Sequence, residues 1–401
     1  MKLRKKLSLL TALVLVAALL IGCGGGDTNG GDVNGGGEEN GGGDTIRIGI
    51  NYELSGPVAT YGQQSLDGIQ LAIDEINDAG GVNGKQLELL INHNRSEETE
   101  AQAIATQLMT REGVVAVLGP ATSGRFKATI PAANENGVPV ISGSATADDV
   151  TYGPGGLQEF AFRICFKDAD QAPAMANFAF DSLEAENAVV ILDSSSDYGR
   201  GLAENFVSTF EARGGSIVAQ EAYVAGDTDF NAVLTRVAGM DFDVIYCPGY
   251  YSEVGLIIRQ ARGMGIEAPF LGADGYNSPD LIELAGADAL NEVYFTDHYS
   301  SLTGDAHVAQ FIENFTARHG VEPSGFNALG YDMGYFVADA IARAASEDSR
   351  DVRDAMAATT NFVGVTGTIS IDEQHNAIKG IVIIGLEDGE QAFAEPVAAG
   401  I

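Results

Sequence analysis

Short apolar runs alternate with amphipathic stretches along most of this chain. Residues 243–247 form a run of apolar and β-branched side chains, which is typical of a strand buried on both faces. Between residues 253 and 262 the apolar positions follow helical spacing, and residues 269–272 form another strand-like run. Each strand leads into a polar loop, and the two loops carry Tyr250 and Asp274. Because ligands bind where the carboxyl ends of parallel strands meet, these loops are candidate parts of a site.

The N-terminal part of the chain shows the same order. Strand-like runs and helical spacing follow one another at residues 45–50, 66–76, 84–91, 99–111, 114–118 and 138–141. Ser123 opens a further helix, where free backbone N–H groups suit an anion such as a carboxylate. A plain helix cap is the alternative role for this serine. Ser144 and Thr146 occupy a second polar loop, one strand later.

The remaining chain continues this alternation. Further strands and helices are predicted at residues 187–192, 202–211, 216–219, 230–238, 306–318, 328–345 and 352–358. Strands that alternate with helices predict an α/β fold with parallel sheets. Residues 44–401 are too many for one hydrophobic core and enough for two.

Several motifs are shared with a known family. They are SGP at residues 55–57, AGGVNGK at residues 79–85, GYYSEVGLIIRQARGMG at residues 249–265 and FLGADG at residues 270–275. Together they resemble the branched-chain amino-acid binding proteins of ABC importers, which belong to the type I periplasmic-binding-protein family. The resemblance covers nearly everything after residue 43. It implies an α/β, type I periplasmic-binding-protein fold, with two doubly wound parallel-sheet lobes joined by a three-strand hinge.

The resemblance also implies domain boundaries. Lobe 1 would hold residues 44–167 plus 298–371, and lobe 2 would hold residues 168–297 plus 372–401. A hinge made of several chain crossings can bend without unfolding either core. The three expected crossings lie at residues 163–168, near His298 and near Ile371.

Ligand-binding roles follow from the same resemblance. Ser123 and the loop of Ser144 and Thr146 would hold the α-carboxylate of an amino acid. Thr146 with Asp274 would hold its amine, and two tyrosines of the second lobe would favour closure on the ligand. By residue chemistry alone, such a tyrosine can also cap a core edge, and an aspartate before glycine can be a turn residue. The candidate ligand contacts are Tyr61, Thr122, Ser123, Ser144, Thr146, Tyr198, Tyr250 and Asp274.

Three positions depart from the pattern of the leucine-binding members. Asp274 stands where those proteins often carry glutamate, and Thr122 and Asn327 stand where less polar or aromatic side chains are common. We therefore expect recognition of an α-amino acid, while branched-chain specificity stays open. The same fold could instead bind an amide, a urea-type solute or an aromatic acid, or act as a ligand sensor for a receptor.

The N-terminus has the features of a targeting segment. Residues 1–22 combine a basic start with an apolar run, and the following Cys23 completes a pattern that resembles a bacterial lipoprotein signal peptide. An ordinary cleaved signal or an uncleaved anchor helix is the alternative. Residues 23–43 are glycine-rich and acidic, which predicts a flexible tether. We expect lipidation at Cys23 and an extracytoplasmic protein whose only membrane contact is this N-terminal lipid.

Charge and motif content narrow the function classes. The net charge of −34 would become −38 without residues 1–22, which contain four basic and no acidic residues; this charge argues against nucleic-acid binding. The sequence contains no nucleophile, phosphate-loop or metal-ligand motif, so we expect no enzymatic activity, cofactor or metal. Cys165 and Cys247 could pair or remain buried thiols. We expect a monomer that captures an amino acid, branched-chain or related, and delivers it to an ABC permease complex.

Overall fold

Two β-sheets, each flanked by helices, organise residues 45–398, which are the residues that this computed structural model describes. The first sheet has the strand order β2-β1-β3-β4-β7, and every neighbouring pair in it is parallel. Its strands are β1 (Ile46–Tyr52), β2 (Leu87–His93), β3 (Ala116–Leu118), β4 (Val140–Ser142) and β7 (Ala161–Arg163). A small separate hairpin consists of β5 (Tyr152–Gly153) and β6 (Gly156–Leu157).

The second sheet has the strand order β17-β16-β12-β11-β10-β8-β9. Its strands are β8 (Asn187–Asp193), β9 (Ser216–Tyr223), β10 (Val244–Tyr246), β11 (Phe270–Gly272), β12 (Val293–Asp297), β16 (Ile381–Glu387) and β17 (Glu390–Val397). The first five are parallel, and β16 and β17 add an antiparallel pair at one edge of this sheet. Asp388 and Gly389 both have positive φ, as a tight hairpin turn requires, and this turn connects β16 directly to β17.

A third, antiparallel sheet lies near the connections between the other two. It consists of β13 (Phe362–Gly364), β14 (Gly367–Ile371) and β15 (Ala377–Ile378). The Asp372 carboxylate accepts the N–H groups of Gln374 and Asn376, both at 2.8 Å, and so turns the chain back to pair with β14. The chain then enters β16 of the second sheet at Ile381.

Helices cover both faces of the two main sheets. They are α1 (Ala59–Asp78), α2 (Glu98–Arg111), α3 (Ser123–Asn136), α4 (Asp168–Asp181), α5 (Asp197–Ala212), α6 (Asn231–Val237), α7 (Tyr251–Gly263), α8 (Pro279–Ala285), α9 (Ala306–His319), α10 (Gly325–Arg343) and α11 (Ser349–Ala357). Within residues 45–398, short 3-10 helices span Asp274–Tyr276, Ala287–Leu290 and Ser301–Thr303. The α5 helix starts five residues before the predicted start because the Ser196 hydroxyl caps it by accepting the Gly199 N–H.

Close contact between α1 and α10 fixes the site-facing ends of both helices. A Cβ at Gly68 would lie 2.0 Å from the Asn327 carbonyl oxygen, and one at Gly330 would lie 2.1 Å from the Ser65 carbonyl oxygen. Only glycine therefore allows the two backbones to approach this closely. The packing places Tyr61, in the first turn of α1, against Phe326, at the start of α10.

The predicted signal peptide, the tether and Cys23 lie outside the described residues. Within residues 45–398, no helix has both the length and the apolar character needed to cross a membrane.

Candidate functional site

A small, nearly filled cavity of about 10 Å³ lies where loops from the carboxyl ends of both main sheets meet. Seven of the eight residues predicted from the sequence line it, and Ala121, Gly275 and Phe326 complete the lining. The seven are Tyr61, Thr122, Ser123, Ser144, Tyr198, Tyr250 and Asp274. Convergence at this edge follows from the β-α order, because each parallel strand leads into a loop on the same side of its sheet.

On the first-sheet side, Glu53 holds the loop that precedes α3. Its carboxylate is fully buried and accepts the backbone N–H groups of Ala121 at 3.0 Å and Thr122 at 3.2 Å. The Thr122 hydroxyl donates a further bond to it at 2.8 Å. Arg125 adds a bond from Nη1 to the same hydroxyl at 3.0 Å. Thr122 thus fixes the loop conformation with its side chain.

The start of α3 offers unpaired backbone donors beside the cavity. The Thr122 side chain makes no capping bond, and the first helical bond runs from the Phe126 N–H to the Thr122 carbonyl at 2.9 Å. The preceding N–H groups of the first turn therefore have no acceptor within the helix. The Ser123 hydroxyl accepts the Ala147 N–H at 3.1 Å, and Ser144 donates to the Ala121 carbonyl at 2.9 Å. Both serines are held in place at a positive helix end.

On the second-sheet side, Asp274 is the acidic residue of the cavity. It is 2% exposed and begins a 3-10 helix directly after β11. Its Oδ1 accepts the Tyr198 hydroxyl at 2.8 Å and the Gln171 side-chain amide at 3.0 Å. Its Oδ2 lies 3.4 Å from His298 Nε2. Burial raises the pKa of Tyr198 well above its ordinary value, so its hydroxyl keeps the proton that it donates.

Aromatic rings form the remaining wall of the cavity. Tyr198 and Tyr250 stack in parallel with ring centroids 5.0 Å apart, and the edge of Tyr61 meets Tyr250 at 5.8 Å. Phe326 stacks on the ring of Tyr61, and the two ring centroids are 4.3 Å apart. A wall of this kind suits an apolar ligand group.

The two stacked tyrosines also line a larger groove of about 390 Å³. The groove contains Arg125 from the first-sheet side and Asp197 and Glu253 from the second-sheet side.

Thr146 is the predicted site residue that does not line the cavity. Its backbone is hydrogen-bonded to the fully buried Arg163. The Nη1 atom of Arg163 donates to the carbonyl oxygens of Ala145, Thr146 and Ala147 at 2.8–3.2 Å. The Asp168 N–H also donates to the Thr146 carbonyl at 2.9 Å. These bonds fix the loop at the first crossing between the sheets, and no sequence pattern indicated that role for Arg163.

From the sequence, Asn327 was expected to make the ligand pocket more polar, but the structure gives its side chain another role. Its side-chain oxygen accepts the Ser324 N–H at 2.8 Å, and its amide donates to the Gln64 carbonyl at 2.8 Å. Asn327 therefore caps α10 and does not line the cavity.

Comparison with known proteins identifies the family. Residues 45–391 match the family model described as periplasmic binding protein. This chain is a periplasmic binding protein. The predicted type I fold is confirmed, and the family implies an extracytoplasmic location.

Similar proteins agree with this assignment. A leucine-, isoleucine-, valine-, threonine- and alanine-binding protein of Pseudomonas aeruginosa is 31% identical over 332 residues, covering 82% of this chain and 87% of that protein. LivJ of Streptococcus pneumoniae, a branched-chain amino acid transporter substrate-binding protein solved with isoleucine, is 42% identical with a TM-score of 0.84. The leucine-binding protein LivK of Thermotoga maritima is 35% identical with a TM-score of 0.83. Each of these two structures covers 88% of this chain and is 99% covered by it.

Several residues of this periplasmic binding protein's site were missed from the sequence. Glu53 follows β1 in the same way that Asp274 follows β11, so its position at a strand end was the available signal. Gln171 and Phe326 lie inside helices, where buried side chains most often belong to the core.

The buried side chains of Asp168 and His298 lie behind Asp274, and burial favours the neutral form of each. Burial, reinforced by Asp148 and Asp274, raises the pKa of Asp168 well above its ordinary value. The protonated form of Asp168 is thereby favoured. His298 stacks on Phe166 at 3.7 Å, and burial lowers its pKa to about 4, so it is neutral at neutral pH.

The two cysteines of this region are separate, buried thiols. Burial raises the pKa of both Cys165 and Cys247 to about 12. Within residues 45–398, no group of three or more His, Cys, Asp or Glu side chains could hold a metal ion.

Proposed function

We propose that this protein captures an α-amino acid with an aliphatic, branched-chain or related side chain outside the cytoplasm and delivers it to an ABC permease. One observation carries the proposal. Asp274 and the unpaired N-terminus of α3 lie on the same small cavity, with an aromatic wall between the two sheets. A zwitterion with an apolar side chain has the matching groups: an ammonium, a carboxylate and a hydrocarbon.

Each side of the cavity has a distinct role in this proposal. The backbone donors of α3 and the Ser123 hydroxyl receive the carboxylate, and Ser144 supports them by holding the Ala121 carbonyl. Asp274 receives the ammonium. The remaining lining residues, Tyr61, Thr122, Tyr198 and Tyr250, shape the side-chain pocket and close it. The names of the Pseudomonas aeruginosa and Streptococcus pneumoniae relatives support an aliphatic amino acid as the solute.

The two sheets define the lobes that would close on this solute. We propose lobe 1 as residues 44–167 plus 298–371 and lobe 2 as residues 168–297 plus 372–401. The pairing of β16 with β12 supports the assignment of the C-terminal strands to lobe 2. We also propose a monomer that lipid at Cys23 and the tether of residues 23–43 hold at the membrane surface.

A thermal-shift screen of the purified protein tests the proposal. A ligand that binds only the folded state stabilises it by about 2.7 kcal/mol at a hundredfold excess over Kd. We expect leucine, isoleucine or valine to raise the melting temperature. 4-Methylpentanoate, which lacks the amine, and 3-methylbutylamine, which lacks the carboxylate, should raise it much less.

The same screen includes amides, urea-type solutes and aromatic acids. A shift by one of these, with none by any amino acid, would overturn the assigned ligand class. Calorimetric titration of the best amino acid then gives the affinity that the variants below are compared with.

A further inference from the structure

Gln171 lies directly behind Asp274 and is completely buried. Its Nε2 donates to Asp274 Oδ1 at 3.0 Å and to Asp168 Oδ1 at 2.9 Å. Its Oε1 accepts the Thr296 hydroxyl at 2.6 Å and the Asp274 backbone N–H at 3.3 Å. Both donors and both lone pairs of the amide are therefore used.

These four bonds connect three parts of the fold. Gln171 belongs to the first turn of α4, Thr296 to β12, and Asp274 to the turn that follows β11. The amide orientation is fixed by its partners, because the opposite orientation would direct its NH₂ group at a backbone N–H and its oxygen at two carboxyl groups. Gln171 therefore holds Asp274 through both its backbone and its side chain.

The bonds to Asp274 are not shared equally between its two oxygens. Oδ1 accepts two hydrogen bonds, from Gln171 and from Tyr198. Oδ2 has one long contact, to His298 at 3.4 Å. A carboxylate oxygen accepts about two hydrogen bonds, so Oδ2 is the oxygen with a free acceptor position.

A glutamine suits this position better than an acid of the same shape. Its NH₂ group lies between Asp168 and Asp274 and donates to both. A glutamate there would place a third acid against two carboxyl groups and would lose both donors. The two acceptor bonds, from Thr296 and from the Asp274 N–H, would survive the change.

We propose that Gln171 is a positioning residue for amine recognition: it holds Asp274 by Oδ1 and by the backbone N–H, so that Oδ2 is presented to the ligand ammonium. This inference rests on the proposed function. It extends the recognition of the amine to a residue that does not line the cavity.

The test compares leucine with 2-hydroxy-4-methylpentanoate, in which a hydroxyl replaces the ammonium. Calorimetry on the purified full-length protein gives the ratio of the two dissociation constants for the unaltered chain, for Gln171→Glu and for Gln171→Met. We expect the preference for leucine to fall at least tenfold in both variants, while binding of the hydroxy acid changes less than threefold. Gln260→Glu is the charge-matched control, because Gln260 lies on α7 and does not line the cavity.

A purely structural role for Gln171 would weaken both compounds by the same factor and leave their ratio unchanged. An unchanged ratio in Gln171→Glu, with a folded variant by melting temperature, would overturn the inference. If the unaltered protein itself binds leucine and the hydroxy acid equally, the amine-recognition part of the proposed function fails instead. The two failures are therefore distinguishable.

Discussion

The Tyr61 hydroxyl donates a hydrogen bond to the Gly275 carbonyl oxygen, 2.5 Å away, across the cavity that separates the two main sheets. The same hydroxyl accepts the Tyr251 N–H at 3.2 Å. Tyr61 belongs to α1 on the first-sheet side, whereas Gly275 and Tyr251 belong to the two loops of the second sheet that carry Asp274 and Tyr250. One residue of the cavity wall therefore also connects the two sheets directly.

Replacing Tyr61 with phenylalanine should weaken amino-acid binding about tenfold. The ring keeps its packing on Phe326, but the Gly275 carbonyl and the Tyr251 N–H lose their partner in the closed form, at a cost of about 1–2 kcal/mol. Calorimetry with leucine measures the loss. Tyr152→Phe is the matched control, since Tyr152 is 47% exposed and far from the cavity lining. Equal affinity in Tyr61→Phe would show that this contact does not contribute to closure.

Replacing Asp274 with alanine should weaken amino-acid binding at least tenfold, or about 1.4 kcal/mol, the scale of one charge-assisted hydrogen bond. The variant removes the only carboxylate among the residues that line the described cavity. Asp241→Ala controls for the loss of one negative charge, because Asp241 is exposed. An unchanged dissociation constant for leucine would remove Asp274 from the site.

Replacing Glu53 with glutamine should lower both stability and affinity. The carboxylate accepts three hydrogen bonds from the loop before α3, and an amide would direct an NH₂ group at one of those donors. We expect a loss of about 1–3 kcal/mol in the free energy of unfolding by urea. Leucine binding should also weaken, because the start of α3 is no longer held. Glu313→Gln, on an exposed position of α9, should change neither quantity.

The loops that carry the site were accessible from the sequence for a simple reason. Apolar strand-like runs that end in polar residues locate loops at one edge of a parallel sheet, and this placed Tyr250 and Asp274 on a common site. The first contact layer of the cavity was therefore largely predicted, with the help of motifs shared with one family.

The residues behind that layer could not be predicted in the same way. Gln171 and Arg163 act through bonds to partners that are far away in the sequence, and neither shows a pattern that differs from an ordinary helix or strand position. Thr146 shows the converse case: its motif matched, but it does not line the cavity, and Arg163 holds its loop at the crossing between sheets. The antiparallel pairing of β16 with β12 likewise depends on tertiary contacts, because a short apolar run has no direction of its own.

Replacing Lys127 with methionine should weaken binding by about two- to fivefold at low salt. Lys127 Nζ lies 2.7 Å from Asp149 and 2.5 Å from Asp197, so it links α3 on the first-sheet side to α5 on the second-sheet side. Partly exposed ion pairs contribute up to about 1 kcal/mol and are screened by salt. The difference between the variant and the unaltered protein should therefore shrink at 1 M salt. Arg213→Met breaks a comparable surface pair with Asp181 within one side and should leave affinity unchanged.

His298 should make the protein less stable in mild acid. Burial lowers its pKa to about 4 in the folded protein, whereas the unfolded chain binds the proton near 6.5. The unfolded state therefore holds more protons between pH 6.5 and pH 4, and the free energy of unfolding falls as the pH is lowered through that window. Relative to His298→Gln, the unaltered protein should lose about 2 kcal/mol between pH 7.5 and pH 5 in urea unfolding. A constant difference between the two proteins would contradict this role.

The neighbouring Asp297 should act with the opposite sign. Burial raises its pKa to about 7, above the ordinary 3.8, so the folded state takes up the proton first as the pH falls. Its contribution to the free energy of unfolding therefore increases as the pH falls from 7 to 3.8, and it partly offsets the loss from His298. In the folded protein the backbone N–H of His298 donates to the Asp297 side chain at 2.6 Å. Asp297→Asn keeps an oxygen acceptor for this N–H, but the amide cannot titrate. This variant should show a steeper loss of stability between pH 7 and pH 5 than the unaltered protein, and a shallower loss would refute the assignment of opposite signs to these two residues.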